Sequence, residues 1–297
     1  MEVRVQPRSD ARQRCLTFSL DVNPQANIMV YGDYLGNTVH HFDIPGLSSH
    51  IQVVAQALVE VMPGLLPDPA EAGEWEDLDA RVGSGDFWEM LLPSQFVQPT
   101  AELEKLAEQL KLTRRGNPLE LLLELTATLY EEFSYVPNST AVDSPIDDAL
   151  RTRQGVCQDF AHIMIALVRK LKIPCRYVSG YLFHEAKAQD RSPAGATHAW
   201  VEAFLPELGW IGLDPTNNLI CAERHIRVAM GRDYADVPPT RGVYKGEAES
   251  ELSVQVTVTP VDSPEPEELP PATVIRSRPL VNSDNLFMEQ QQQQQQQ

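Results

Sequence analysis

From Leu16 to Val22 the chain alternates apolar and polar residues with period two (Leu-Thr-Phe-Ser-Leu-Asp-Val), the pattern of a half-buried strand. Asn23-Pro24 supplies a turn, and residues 28–34 and 38–44 flank Leu35-Gly36-Asn37 as the two arms of a hairpin. Residues 51–62 fit two periods. Ile51, Val54, Ala55, Leu58 and Val61 suit a helix, whereas Ile51, Val53, Ala55, Ala57, Val59 and Val61 suit a strand, and the strand is preferred. Residues 1–62 therefore read as a β-rich N-terminal region. Residues 63–99, with repeated Pro, Gly, Asp and Glu, read as a connector with little regular structure.

The period then changes to that of helices. Leu103, Leu106, Ala107 and Leu110 share one helical face, and residues 118–130 follow with Asn117 as N-cap and Pro118 at the first helical position. Ser144-Pro145 opens a short helix toward Arg153. Residues 157–172 form a strongly apolar helix, with Phe160, Met164, Leu167 and Leu171 on one face and Ala161, Ile165 and Val168 beside them; Ile173-Pro174 ends it. Residues 176–183 read as a strand, 185–195 as a polar loop, and 197–205 with 210–214 as a strand pair. After 225 the pattern is less regular until Leu252, Val254, Val256 and Val258 alternate as a last strand. The 100–259 stretch is thus one mixed core. From 260 to 297 the chain is Pro/Glu-rich and ends in glutamines, a composition too poor in apolar surface to order itself, and no function is assigned to it.

Composition narrows the function classes. The chain has 297 residues, a hydrophobic fraction of 42% and a formal net charge of −18. No apolar run approaches the roughly 20 residues needed to span a bilayer, and the first residues lack the apolar stretch of a signal peptide. The expected location is the cytoplasm. The negative charge repels polyanions, so neither nucleic acid nor an anionic membrane is an expected partner. The four cysteines, Cys15, Cys157, Cys175 and Cys221, include no C-x-x-C pair, which argues against a zinc site; a reducing compartment argues against disulfides. No acidic loop has calcium-ligand spacing, so neither metal nor cofactor is expected.

A lone cysteine at a helix start is by default a packed thiol. Cys157 departs from that default because Gly155-Val156 precedes it and the helix begins at or beside it, where free N–H groups and the macrodipole favour an anion. Asp159, in the same turn, helps start the helix. A thiol nucleophile also needs a base, and the base an orienting acceptor. His162 lies five positions along the same helix, roughly 140° round it, and reads as a helix-surface or supporting residue. His184 stands at a strand end with no evident acid partner. His198 opens a strand that continues into a hairpin. If Pro206-Glu207-Leu208 is a three-residue loop with Gly209 left-handed, Leu205 faces Gly209, Phe204 faces Trp210, Glu202 faces Gly212 and Trp200 faces Asp214. Asp214 is then the diagonal neighbour of His198 on one sheet face, about 7–8 Å away between backbones. Trp200 reads either as a wall over the site or as core, Glu202 as a structural hydrogen-bond or ion-pair partner, and Trp210 as core. Arg176 and Tyr181 read as lining a cleft or as solvent-exposed.

Three blocks, in order, resemble the core of the bacterial transglutaminase-like superfamily: Gly155-Val156-Cys157-Gln158-Asp159-Phe160-Ala161-His162 with 171–181, Thr197-His198-Ala199-Trp200-Val201-Glu202, and Gly209-Trp210-Ile211-Gly212-Leu213-Asp214-Pro215-Thr216. The resemblance covers roughly 100–225; residues 1–62 resemble the β-rich region that accompanies this core in bacteria, and Gly231 to Pro239 resembles its usual ending. Relatives of this kind carry another strand or two ahead of Glu2, so the beginning reads as shortened, and the glutamine tail is not a family feature. The resemblance implies an α+β, papain-like fold with the cysteine at the start of a central helix packed on an antiparallel sheet. It implies Cys157 as nucleophile, His198 as base and acid, and Asp214 as orienter. The expected reaction is thioester formation on a peptide or glutamine-type amide of a protein or peptide substrate, resolved by water (peptidase or amidase). Transfer to an amine, as in a transglutaminase, and a non-catalytic binding module on the same fold are the alternatives. Cys157 N–H is the expected oxyanion donor, with Gln154, Tyr135 or a tryptophan as the second.

Overall fold

Strands β1 (Glu2–Val3), β2 (Gln13–Asn23), β3 (Met29–Gly32), β4 (Thr38–His41) and β5 (Gln52–Val61) come first in the chain. Helices α1 (Trp75–Gly83), α2 (Ala101–Gln109) and α3 (Pro118–Glu132) follow, then β6 (Ser134–Tyr135), α4 (Ile146–Thr152), β7 (Gln154–Gly155) and α5 (Cys157–Lys170). Six strands complete the order: β8 (Cys175–Leu182), β9 (His198–Leu205), β10 (Gly209–Asp214), β11 (Leu219–Ile220), β12 (His225–Gly231) and β13 (Thr240–Arg241). The computed structural model describes residues 1–62, 67–185, 187–246 and 251–261.

The centre is a five-stranded antiparallel sheet in the order β11-β10-β9-β8-β12. Because side chains alternate along a strand, Ala199, Val201, Ala203 and Leu205 of β9 share one face, and they pack in one buried cluster with Phe160, Met164 and Leu167 of α5. Small residues on β9 let the wide apolar face of α5 sit close, which is why so long a helix is buried along nearly its whole length. The opposite face carries Trp200, packed with Val178 and Met230. Gly180 makes room for that indole: a Cβ there would lie 2.5 Å from Trp200 and 2.1 Å from the Ile226 carbonyl oxygen.

Residues 1–62 clasp the outer edge strand β12. An edge strand leaves backbone N–H and C=O groups unpaired, and two buried amide side chains supply what a further strand would. Gln13 accepts from Arg227 N–H at 2.8 Å and donates to Arg227 C=O at 2.7 Å; Asn37 treats Met230 the same way, at 2.8 and 2.9 Å. The hairpin around residues 35–37 forms as β3 and β4, and residues 52–61 form β5, paired antiparallel with β2.

Three departures from the sequence reading follow from packing. Residues 63–99 contain α1, in which buried Leu78 anchors the helix and Asp77 accepts from Glu74 N–H. Residues 225–231 are a strand, β12, with a register shift between Arg227 and Ala229 that breaks the period-two pattern. Residues 252–258 alternate but form no strand; Leu252 and Val254 are exposed, and Val256 N–H bonds the Gly195 carbonyl. Apart from 260 and 261, the Pro/Glu-rich and glutamine-rich stretch lies outside the described residues.

Candidate active site

Cys157 is placed by a short parallel pair and a cap. Ser134 and Tyr135 of β6 align with Gln154 and Gly155 of β7, leading the chain straight into α5, whose first residue is Cys157. The Asp159 carboxylate accepts the Val156 N–H at 2.8 Å and a hydroxyl bond from Thr140, closing the first turn. That fold-back needs glycine: a Cβ on Gly155 would lie 2.8 Å from the Asp159 Cβ. The Cys157 side chain is half-buried, and its backbone N–H, in the first turn, has no partner within the helix. All four cysteines are free thiols.

The β9–β10 hairpin has the register expected from its loop. Gly209 has φ +69°, Leu205 faces Gly209, Phe204 faces Trp210 and Glu202 faces Gly212. His198 and Asp214 consequently share a face, and His198 Nε2 lies 2.7 Å from Asp214 Oδ2. Both side chains are buried.

Two residues that the sequence reading did not select complete the carboxylate's surroundings. Asn217 Nδ2 donates to Asp214 Oδ2 at 2.8 Å, and His225 Nε2 lies 3.3 Å from that same oxygen. Oδ1 accepts from the backbone N–H groups of Thr216 and Asn217, at 3.0 and 3.3 Å. Five N–H groups thus converge on one buried carboxylate, the setting that holds a carboxylate ionised. The two backbone bonds are an Asx-type turn, and Asp-Pro-Thr-Asn carries its local signature in the sequence. Nothing local marks His225.

Charge is shared accordingly. Burial would raise the Asp214 carboxyl, but the charge and hydrogen bond of His198, with the hydrogen bond of His225, hold it well below the usual carboxylate range. Burial would lower the His198 pKa; the Asp214 charge and hydrogen bond overcome it and, helped by the adjacent Cys157 thiol, carry it well above the ordinary imidazole value. The Cys157 thiol therefore adjoins the ring. Among the described residues His198 Nδ1 makes no hydrogen bond of ordinary geometry, so thiol and imidazole are neighbours rather than a tightly bonded pair. Contacts of this kind tighten when a substrate is seated. Burial, with the charges of Cys157 and Asp159, pushes the Tyr135 hydroxyl up to about 12.

The other residues weighed from sequence have structural partners. His162 is buried, not on the helix surface; its Nε2 accepts the Tyr234 N–H at 3.2 Å, its ring stacks on Phe96, and burial with the Arg169 charge pushes it down to about 3. His184 does have an acid partner, Asp190, at 3.1 Å, and Arg224 binds that same carboxylate. Glu202 pairs with Arg176 at 2.6 Å and with Arg227 at 3.4 Å. Arg176 lies 4.0 Å over the half-buried Trp210 ring, and the Tyr181 hydroxyl donates to the Val5 carbonyl. Trp200 is fully buried and also borders the rings of His198 and His225, so it is core and wall together.

His198, Asp214 and His225 offer ligand atoms within 4.8 Å of one another, a spacing that could suit a divalent cation. The donor set fits hydrogen bonding better, because five N–H groups already occupy the carboxylate lone pairs.

Residues 105–215 match the model of the transglutaminase-like superfamily, and residues 1–60 that of the bacterial transglutaminase-like N-terminal region. The uncharacterized protein ML0607 of Mycobacterium leprae is 32% identical over 259 residues, covering 87% of this chain and 91% of its own. A protein-glutamine gamma-glutamyltransferase of Pseudomonas aeruginosa is 33% identical over 132 residues, 39% of this chain but 19% of the relative. Among solved structures, a protein of Cytophaga hutchinsonii provisionally named a cysteine protease superposes with a TM-score of 0.66 at 28% identity, covering 80% of this chain and 77% of that one.

Proposed function

The chain belongs to the transglutaminase-like superfamily, and from that premise we propose that it is a thiol enzyme acting on peptide or glutamine-type amides. Cys157 is the nucleophile, His198 the base and acid, and Asp214 the orienter. The observation that carries this reading is the buried His198–Asp214 bond, 2.7 Å long, with the Cys157 thiol beside the ring.

The steps follow from those positions. His198 takes the Cys157 proton, and the thiolate adds to the amide carbonyl, forming a C–S bond. The oxyanion accepts from the Cys157 N–H, free at the start of α5, and from the half-buried Tyr135 hydroxyl, which feels the Cys157 charge, rather than from the exposed Gln154. The C–N bond breaks as the imidazolium protonates the departing amine, leaving a thioester. His198 then deprotonates a water, which attacks the thioester carbonyl; the C–S bond breaks, the acid leaves and the thiol is restored. The fold likeness to a protein provisionally named a cysteine protease supports water as acceptor.

A second reading, transfer of the acyl group to an amine, draws support from the glutamyltransferase relative, 33% identical over 132 residues. Products from a glutamine-peptide library, analysed by mass spectrometry with and without a primary amine, separate the two. Free acid as the main product in both is expected. Amine adducts dominating would replace hydrolysis with transfer. If Cys157→Ala forms the same products at the wild-type rate, the thiol chemistry itself is wrong and a binding module on this fold takes its place.

A further inference from the structure

We infer that His225 is a positioning residue of the candidate active site: from the edge strand β12 it donates Nε2–H to the Asp214 oxygen that His198 uses, and so fixes the carboxylate against the base. This rests on the catalytic assignment proposed above and deepens it. The donor direction is forced by chemistry, since an ionised carboxylate can only accept. The approach is from a different side than the others. His198 comes from β9 and Asn217 from the loop after β10, whereas His225 reaches across from β12, on the far side of β8 in the sheet.

A purely structural role accounts poorly for this ring. His225 is 5% exposed, and a buried imidazole loses the hydration of both its nitrogens. Nδ1 has no hydrogen-bond partner among the described residues, and the ring lines a cavity of about 210 Å³ together with Trp200, Cys221 and Arg227. Among the described residues, the only hydrogen bond His225 makes through its side chain is therefore the one to Asp214. Its ring also packs edge-on against Trp200, 5.2 Å between centroids, which sets its plane. Burial keeps it neutral, with Arg224 and His198 adding to that and Asp214 opposing. A neutral donor holds the Asp214 oxygen without bringing a second cation to compete with His198 for the negative charge.

Three variants of the full chain separate hydrogen bonding from packing. His225→Phe keeps the ring without the donor, His225→Gln keeps a donor at the Nε2 position without the ring, and His225→Ala keeps neither. Ammonia release from an N-blocked glutamine dipeptide gives kcat and KM, and the Nε2–H proton resonance of His198 reports the bond to Asp214. His225→Phe and His225→Ala are expected to lose about 10- to 100-fold in kcat with KM little changed, the scale of a misplaced catalytic group. His225→Gln should recover to within roughly threefold of wild type, because the donor is restored. The His198 resonance should broaden in the first two and return in the third. His225→Phe at the wild-type kcat, or a folded His225→Gln as slow as His225→Ala, overturns the proposal; if Phe does not fold, the Gln–Ala pair decides. Should the wild type release no ammonia, action on the glutamine side-chain amide fails on its own. The resonance still answers for His225, and identical His198 signals in all variants would overturn it.

Discussion

Replacing Asp214 by asparagine tests the electrostatic core of the site without assuming any reaction. The isostere keeps one oxygen, so the Thr216 and Asn217 N–H groups retain their acceptor at Oδ1. The other oxygen becomes an NH₂ facing three donors, from His198, Asn217 and His225. Both histidines can shift tautomer to accept instead of donate, but the His198–Asp214 ion pair is lost. Breaking a buried pair by removing one partner costs about 3–5 kcal/mol. For a chain of this size that corresponds to a fall of about 10 °C in Tm.

The pH dependence gives the prediction its sign. His198 is raised in the folded state, so its contribution is full below the ordinary imidazole value near pH 6.5 and fades as pH rises through the higher folded one. Asp214 is lowered, so its contribution is full above the ordinary carboxyl value near pH 3.9 and fades as pH falls through the lower folded one. The wild-type advantage over Asp214→Asn is therefore greatest between about pH 4 and 6.5 and narrows toward pH 9. Urea unfolding followed by tryptophan fluorescence at pH 6 and pH 9 measures it directly. Equal midpoints at pH 6, or a gap that widens with rising pH, would refute the reasoning.

Asn37→Ala leaves the Met230 N–H and C=O buried without partners and should cost about 2–4 kcal/mol, read as a lower urea midpoint. Arg169→Met removes a buried guanidinium bonded to the carbonyls of Met90, Leu92, Cys175 and Arg232, and should cost about 3–5 kcal/mol in the same assay.

What the sequence made legible were the features set by short-range rules. A tight loop ending in a left-handed glycine determines the register of β9 against β10, and register alone brings His198 and Asp214 to one face. The apolar breadth of 157–172 likewise marks a helix buried along its length. What stayed hidden depended on distant partners. Nothing local marks Arg227, whose partners Glu202 and Asp10 lie far away in the chain, and the register shift after it hides the strand that starts with His225. Helix α1 was masked by the glycines and prolines around Trp75, Leu78 and Val82. The alternation at 252–258 misled in the opposite way, since period two yields a strand only where an edge is free to pair with it.

The strand carrying His225 also explains why residues 1–62 bear on a site they do not enter. β12 is an edge of the central sheet, and the amides of Gln13 and Asn37 satisfy its outward backbone groups at Arg227 and Met230. Without those amides the edge would have to pair with water or with another chain, and its bulge would lose its brace. His225 begins that strand, two residues before the first clasped position, and its hold on Asp214 is the longest of the carboxylate's three contacts at Oδ2. The weakest of the three is thus the one whose backbone the N-terminal strands secure. A small loosening at Gln13 would accordingly reach the Asp214 carboxylate through β12 before it disturbed either Cys157 or the apolar contact between α5 and β9.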